Sequence, residues 1–331
     1  MMFSHIAFLF SATAFASFAA TGLMLAVLKR RGIFDIPNER SSHNTPTPRG
    51  GGFAMILVSL MAWGLSLGDA FNAHQGLFIA AIFLGGVSWV DDLKSLSARV
   101  RLLAQIFAVS VVFWVMPMSK FYFQNILPLW LDNLVAVLLW VWFINLFNFM
   151  DGIDGISVVE ASSIGIGIFF LMTLGVVQLT HGLLGLSIAA AAFGFLWWNW
   201  EPAKVFLGDV GSIPLGFLLG WLLLDILASQ YWPVAVILPL YYLADATITL
   251  GRRGWRGERI WRAHREHFYQ QATARGLSHS RVSLLIAGAN VLLIGFATLS
   301  LTYPLLALIG AFAVVGVFLL VLRGSRNGSR P

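Results

Sequence analysis

Residues 135–147 read VAVLLWVWFINLF, and the chain then passes without a break into NFMDGIDG, residues 148–155. The first run holds one amide among bulky apolar side chains and shows no alternation of polar and apolar positions. It therefore reads as a hydrocarbon-soluble helix and not as a barrel strand. A bilayer core about 30 Å thick takes roughly 20 such residues per helix, and lipid-exposed backbone tolerates only helices or closed barrels. The question lies at the tip, where an amide and two carboxylates spaced by glycines end a lipid-soluble rod.

The same apolar pattern recurs through the 331 residues. Apolar side chains make up 58% and charged ones 11% of the chain, where soluble domains carry about 25% charged residues. The runs predict an all-α, polytopic integral membrane protein with about eleven transmembrane helices. These fall near 5–28, 52–68, 75–90, 99–116, 132–148, 156–174, 182–198, 212–226, 233–250, 282–300 and 304–322. The first run is too long for a signal-peptide core and lacks a basic start, so it reads as a retained span. One integral domain, 1–331, is expected, its active face formed by inner loops 29–51, 91–98, 149–155, 199–211 and 251–281.

Orientation follows from the cations. With the N-terminus outside and the C-terminus inside, every lysine and arginine except Lys120 falls in or beside an inner loop, a strong positive-inside signal. The net charge of +6 then faces anionic membrane lipids and calls for no nucleic acid. The absence of cysteine excludes disulfide, thiolate-zinc and cysteine-nucleophile chemistry.

On this topology Asp91, Asp92, Asp151, Asp154 and Asp209 all fall at inner helix ends or in the loops joining them. Their convergence would be opposed by like-charge repulsion unless a cation compensates. Oxygen-only ligands favour Mg²⁺, with Mn²⁺ as a substitute; Mg²⁺ binds through one or two carboxylates together with substrate phosphates. In Trp89–Lys94 (WVDDLK), Lys94 adds a phosphate-attracting charge. Asn148, Asp151 and Asp154 are spaced by three and share a face only if the helix continues, which Gly152 and Gly155 oppose. In FLGDVGS, residues 206–212, Asp209 and Ser212 sit near the start of the eighth span, where free N–H groups favour phosphate. Neither nucleotide glycine fingerprint is present. The loop from Gly251 to Gln270 places arginines mostly three apart, and their forks match phosphate oxygens. His264 and His267 there lack the H-E-x-x-H arrangement of zinc sites. Each stretch also has a plain reading: a capped helix end, a polar turn, or basic charge on headgroups.

Taken together and in order, WVDDLK, NFMDGIDG, the segment with Asn199, Pro202 and Ala203 leading into FLGDVGS, and RAHREHFYQ from Arg262 resemble the polyprenyl-phosphate N-acetylhexosamine-1-phosphate transferases. IFDIPN from Ile33 and TPRGGG from Thr47 extend the resemblance over essentially the whole chain. It implies an Mg²⁺-dependent phosphoglycosyltransferase of the bacterial inner membrane, with its active site facing the cytoplasm. Such an enzyme transfers an N-acetylated sugar 1-phosphate from a UDP-sugar to undecaprenyl phosphate and releases UMP. The segment HREHFYQ is similar to the group that initiates O-antigen and related surface glycans from UDP-N-acetylfucosamine, UDP-N-acetylquinovosamine or UDP-GlcNAc. It is unlike the consecutive histidines of peptidoglycan translocases, which use UDP-MurNAc-pentapeptide and remain the alternative, as does, from another class, a membrane transporter.

By motif correspondence the resemblance assigns direct Mg²⁺ coordination to Asp209. Asp91 would contact or deprotonate the lipid phosphate, and Asp92 would help build the metal and phosphate environment. Asn148 and Asp151 would hold the metal shell or uridine diphosphate, and Lys94, His264 and His267 the diphosphate. Asp154, Asn199 and Arg265 are further substrate-binding candidates. Direct attack and a covalent aspartyl intermediate both stay open. Members of the family are often dimeric, so a homodimer is also implied. Because buried hydrocarbon contributes about 0.8 kcal/mol per CH₂, the lipid tail should stay in a helix-lined groove, around which Pro214, Pro233 and Pro239 would bend the eighth and ninth spans.

Overall fold

The computed structural model describes residues 2–37, 42–43, 45–116, 121–259 and 264–324. Lys120, Arg40, Arg262, Arg326 and Arg330, used above for orientation or for the basic loop, lie outside these residues. The described residues are overwhelmingly helical, as expected, and nine helical segments among them are long and apolar enough to cross a membrane. Thirteen α-helices, α1–α13 in chain order, build the bundle.

Two ends of the bundle are fixed by contacts. Asp92, Asn148 and Asp209 meet at one end. At the other, Gly76 packs on Val115 and Gln124 donates to the Leu227 carbonyl at 2.8 Å. Between these ends run α1 (Met2–Arg31), α2 (Gly52–Leu67), α3 (Phe71–Lys94), α4 (Ala98–Val115), α5 (Leu129–Phe149), α6 (Ile156–Thr173), α7 (Leu179–Asn199) and α8 (Asp209–Leu227). The short α9 (Trp232–Ile237) continues into α10 (Leu240–Trp255), α11 (Phe268–Ala274) caps the site end, and α12 (His279–Leu299) and α13 (Pro304–Arg323) close the bundle.

The continuous apolar segment from Gly52 to Lys94 is a hairpin. A 3₁₀ turn at Gly68–Ala70 reverses it, so that both Gly52 and Asp92 return to the α8 N-terminus. The ninth pass is broken instead of continuous. Proline at 239 has no N–H to extend α9, and neither piece alone is of spanning length. With the hairpin split and α9–α10 joined, the helices follow the eleven apolar runs of the sequence, and the start of α1 and the end of α13 lie at opposite ends of the bundle.

Serine side chains start two helices at the site end. Ser97 Oγ accepts from the Val100 amide at 3.4 Å and Ser278 Oγ from the Arg281 amide at 3.2 Å, each satisfying an orphan N–H. The centre is α8, buried along nearly its whole length against α3 and α5. Buried indoles tie neighbouring helices together. Trp63 Nε1 donates to the Leu184 carbonyl at 3.0 Å and Trp140 Nε1 to the Phe217 carbonyl at 2.9 Å, so these polar atoms are not left bare in hydrocarbon. Helices α6 and α7 approach closely through Gly165 and Gly185, the small-residue contact usual between membrane helices.

Candidate active site

The expected loops deliver their acids to one end of the bundle, but by different routes. WVDDLK is not a loop: α3 continues through Lys94, and Ser95 ends it in a left-handed conformation at φ 52°. Asp91 Oδ1 accepts from the Leu96 amide at 2.6 Å, holding the turn that follows. Asp92 faces the other way and caps α8 from outside. Its Oδ1 accepts from the Asp209 amide at 3.1 Å and its Oδ2 from the Val210 amide at 3.0 Å. Gly208, the residue in the cap position, has no side chain to do this. Asp92, expected at the metal, is thus engaged in positioning Asp209.

Asp209 is the hub. Its Oδ1 accepts from Arg49 Nη2 at 2.9 Å and from Asn148 Nδ2 at 3.1 Å, and its Oδ2 from Arg101 Nη1 at 3.4 Å. Arg49 spans two acids, with its Nε 2.8 Å from Asp92 Oδ1. Arg101 Nη1 also lies 3.2 Å from Asp91 Oδ2. Burial works against the Arg49 charge, but Asp209 and Asp92 outweigh it and hold the guanidinium protonated beyond its ordinary range. Neither arginine was singled out from the sequence, where both looked like positive-inside charge. The signal was in TPRGGG. β1 (Phe34–Asp35) pairs with β2 (Thr47–Pro48), and Gly50, Gly51 and Gly52 then donate to the Phe206 and Leu207 carbonyls at 2.9–3.2 Å. A Cβ on Gly52 would sit 2.4 Å from Gly211 Cα, so only glycine lets this strand lie against FLGDVGS and deliver Arg49.

A cleft of about 600 Å³ opens above Asp209, walled also by Arg49, Asn148, Asp151, Asp154 and Asn199. Asn148 ends α5 and also donates to Ser212 Oγ at 2.9 Å. Because α5 stops at Phe149, Asn148, Asp151 and Asp154 do not share a helix face; the two aspartates stand on the turn that follows. Burial raises the Asp151 carboxyl to about 7, against the opposing pull of a hydrogen bond to Ser157. Asp154 Oδ2 accepts from the Ala203 amide at 3.1 Å. Asn199 Oδ1 accepts from the Gly155 amide and its Nδ2 donates to the Val205 carbonyl, both at 3.0 Å. Asp154 and Asn199 therefore pin the D-G turn to the strand before Asp209 while lining the cleft. A second lobe of about 500 Å³ continues past Glu201, Arg265 and Gln270.

Five expected residues are not among those lining the cleft: Asp91 and Asp92, which reach it only through Arg101, Arg49 and the α8 N-terminus, and Lys94, His264 and His267. Lys94 is exposed at the end of α3. His267 is buried, its Nδ1 3.0 Å from Asp245 Oδ1, and the same carboxylate accepts from the Phe268 and Tyr269 amides at 3.0 and 3.3 Å, docking α11 on α10. His264 stacks on His267 at 4.8 Å; burial, His267 and Arg253 lower it to about 4. Among the described residues, the histidines that line the cleft are His43 and His279. His279 Nδ1 lies 3.4 Å from Asp154 Oδ1, and the ring borders both lobes. Nothing in the sequence distinguished it from an ordinary residue at a helix start.

Three acids, Asp91, Asp92 and Asp209, face two guanidiniums, leaving one negative charge uncompensated beside Asp151. That excess, with oxygen donors alone, suits a hard divalent cation. Among the described residues no group of three or more histidine, aspartate or glutamate side chains forms a ready cage, and Mg²⁺ ordinarily completes its shell with water and phosphate. Asp209, with Asp91 near it across Arg101, is the residue that would hold such a cation, which would supply charge compensation for a diphosphate.

The pattern that defines glycosyl transferase family 4 matches residues 74–227, from α3 through α8. A probable undecaprenyl-phosphate N-acetylglucosaminyl 1-phosphate transferase of Bacillus subtilis is 29% identical over 291 residues, 83% of this chain and 78% of its own. A decaprenyl-phosphate N-acetylglucosaminephosphotransferase of Mycobacterium tuberculosis is 26% identical over 357 aligned positions, 93% of this chain and 86% of its own. A phospho-N-acetylmuramoyl-pentapeptide-transferase of Enterococcus faecalis is 28% identical over 250 residues, 69% of this chain and 76% of its own. The described residues form an apolar helical bundle with a polar cleft at one end, and over most of its length the chain is similar to polyprenyl-phosphate N-acetylhexosamine-1-phosphate transferases.

Proposed function

We propose that this enzyme transfers an N-acetylhexosamine 1-phosphate from a UDP-sugar to undecaprenyl phosphate at the cytoplasmic face of the bacterial inner membrane. It thereby starts an O-antigen or related surface glycan. The observation that carries the reading is that Asp209, at the cleft, is met by Arg49, Asn148 and Arg101 from three other segments, with Asp91 joined to it through Arg101. Similarity to these transferases supplies the reaction class.

In chemical terms, an oxygen of the lipid phosphate bonds to the sugar-bearing phosphorus. The bond from that phosphorus to the bridging oxygen breaks, and UMP leaves with the electron pair. A phosphate monoester is already ionised near neutral pH, so the protein's task is alignment and charge compensation. Mg²⁺ bound through Asp209, with Asp91 beside it, would neutralise the diphosphate. Arg49 and Arg101 hold Asp209 in a fixed orientation, Asn148 donates to it, and Asp92 anchors the helix start from which it projects. The two lobes of the cleft give the two halves of a UDP-sugar separate seats, with Asp154, His279 and Gln270 at their border. The lipid tail remains among the helices. An apolar cavity of about 470 Å³ between α5, α8 and α9–α10 lies toward the opposite end of the bundle, beside Gln124 and Leu227, and its walls include none of the three prolines expected to shape the groove.

The test is release of UMP by purified protein given undecaprenyl phosphate and Mg²⁺ with UDP-GlcNAc, UDP-N-acetylfucosamine, UDP-N-acetylquinovosamine or UDP-MurNAc-pentapeptide in separate reactions. Lipid- and Mg²⁺-dependent UMP from one of the small donors is expected. UMP from the muramyl donor alone would transfer the reading to the peptidoglycan branch, and no UMP from any donor with folded protein would overturn it.

A further inference from the structure

A cavity of about 420 Å³ lies apart from the cleft, where the ends of α10 and α13 meet the segment leading into α11. Four arginines, Arg252, Arg256, Arg265 and Arg323, line it with a single acid, Glu266. Glu258 and Glu266 each contact both Arg253 and Arg256, so two carboxylates are matched to two guanidiniums. Among the described residues no carboxylate lies within ion-pair distance of Arg252 or Arg323. Arg252 instead lies over the Phe268 ring at 5.0 Å.

Cations gathered in one cavity repel unless a counter-charge is supplied, and guanidinium forks match phosphate oxygens in pairs. Depth points to the source. Arg323 is the last residue of α13 and Arg252 lies in the last turn of α10, so both stand where spans end and headgroup phosphates begin. We propose that this cavity binds a phosphate anion, supplied by the headgroup of an anionic phospholipid, which joins the end of α13 to the segment bearing His264 and His267. Arg252, which lies over the Phe268 ring, and Arg256, which pairs with Glu266, link the bound headgroup to that segment, and its occupancy stabilises the docking of α11.

The experiment compares wild type, the Arg252→Gln/Arg323→Gln variant and, as a control for general basic charge at the same end, the Arg30→Gln/Arg31→Gln variant at the end of α1. Each is placed in phosphatidylcholine nanodiscs with or without phosphatidylglycerol, and a further neutral set receives inorganic phosphate. Thermal midpoints and lipid retained in native mass spectrometry are read. Phosphatidylglycerol should raise the midpoint of wild type and control by several degrees and remain bound to them, while the cavity variant loses both responses. A rise with inorganic phosphate in wild type but not in the cavity variant would establish the site with a soluble ligand. Equal responses of cavity variant and control, or none in wild type, would overturn it. Should the glutamine pair fail to fold, Arg252→Lys/Arg323→Lys keeps the charge without the forks and should retain less lipid than wild type; equal retention counts against the site. The readout is binding and stability, so it stands apart from the transfer reaction.

Discussion

At the scale of single residues, function rests on which carboxylates are compensated. Asp209 accepts three hydrogen bonds from charged or amide donors. Asp209→Asn keeps the shape, removes the charge and leaves Arg49 and Arg101 facing a neutral group. UMP release should fall about 100-fold or more while the protein stays folded, checked by steady-state assay beside a thermal melt. Asp151 gives a pH signature. An unperturbed aspartate ionises at 3.8, and burial holds this one protonated up to about 7, so the folded state binds the proton more tightly than the unfolded chain. Its contribution to stability is complete below pH 3.8 and is lost as pH rises through about 7. Asp151→Asn should therefore gain stability over wild type as pH rises from about 4 to about 7, seen as a gap in thermal midpoints that widens over that range and levels above it. A constant gap would mean that Asp151 is not held protonated. The acids were legible because carboxylates beside long apolar runs stand out. Arg49, Arg101 and His279 were not, because a basic side chain in an inner loop has a sufficient explanation in the membrane surface alone.

At the scale of elements, the spans were readable from apolar length, and their ends from serine, glycine and proline. The reading erred where a helix outlasted its apolar run, as α3 does through Asp91, Asp92 and Lys94. There, bonds to the α8 N-terminus and to Arg101 repay the desolvation of charges that hydropathy counts as a stop. Helix contacts depend on individual glycines that composition does not mark. A Cβ on Gly165 would lie 2.4 Å from the Gly185 carbonyl oxygen, whereas one on Gly295 would meet nothing within 4 Å. Gly165→Val should cost about 1–3 kcal/mol by forcing α6 from α7, and Gly295→Val much less. Denaturation of the two variants in the same detergent compares them directly; equal losses would show that the α6–α7 contact is not close in solution.

At the scale of the molecule, the start of α1 and the end of α13 lie at opposite ends of the bundle, the cleft at the end of α13, and the proposed orientation puts that end inside. The absence of cysteine makes single introduced cysteines clean reporters. Ile126 is 80% exposed at the end away from the cleft and Trp255 is 93% exposed at the cleft end. In intact cells with a permeable outer layer, a membrane-impermeant maleimide should label Ile126→Cys, and should reach Trp255→Cys only after the inner membrane is opened. The reverse pattern would invert the proposed orientation and place the cleft outside.

The sequence alone determined that this chain is a helical membrane protein, where its apolar helices run, and that polar motifs gather at one end. Those properties follow from the cost of putting backbone and charge into hydrocarbon, which is local and additive along the chain. Which acids touch, which arginines hold them and which histidines line the cleft were decided only by tertiary structure. Asp92 and Asp209 are 117 positions apart, Arg49 and Asp209 160 apart. The few tenths of a nanometre that separate a ligand from a bystander are set by helix packing, glycine contacts and caps made between distant segments.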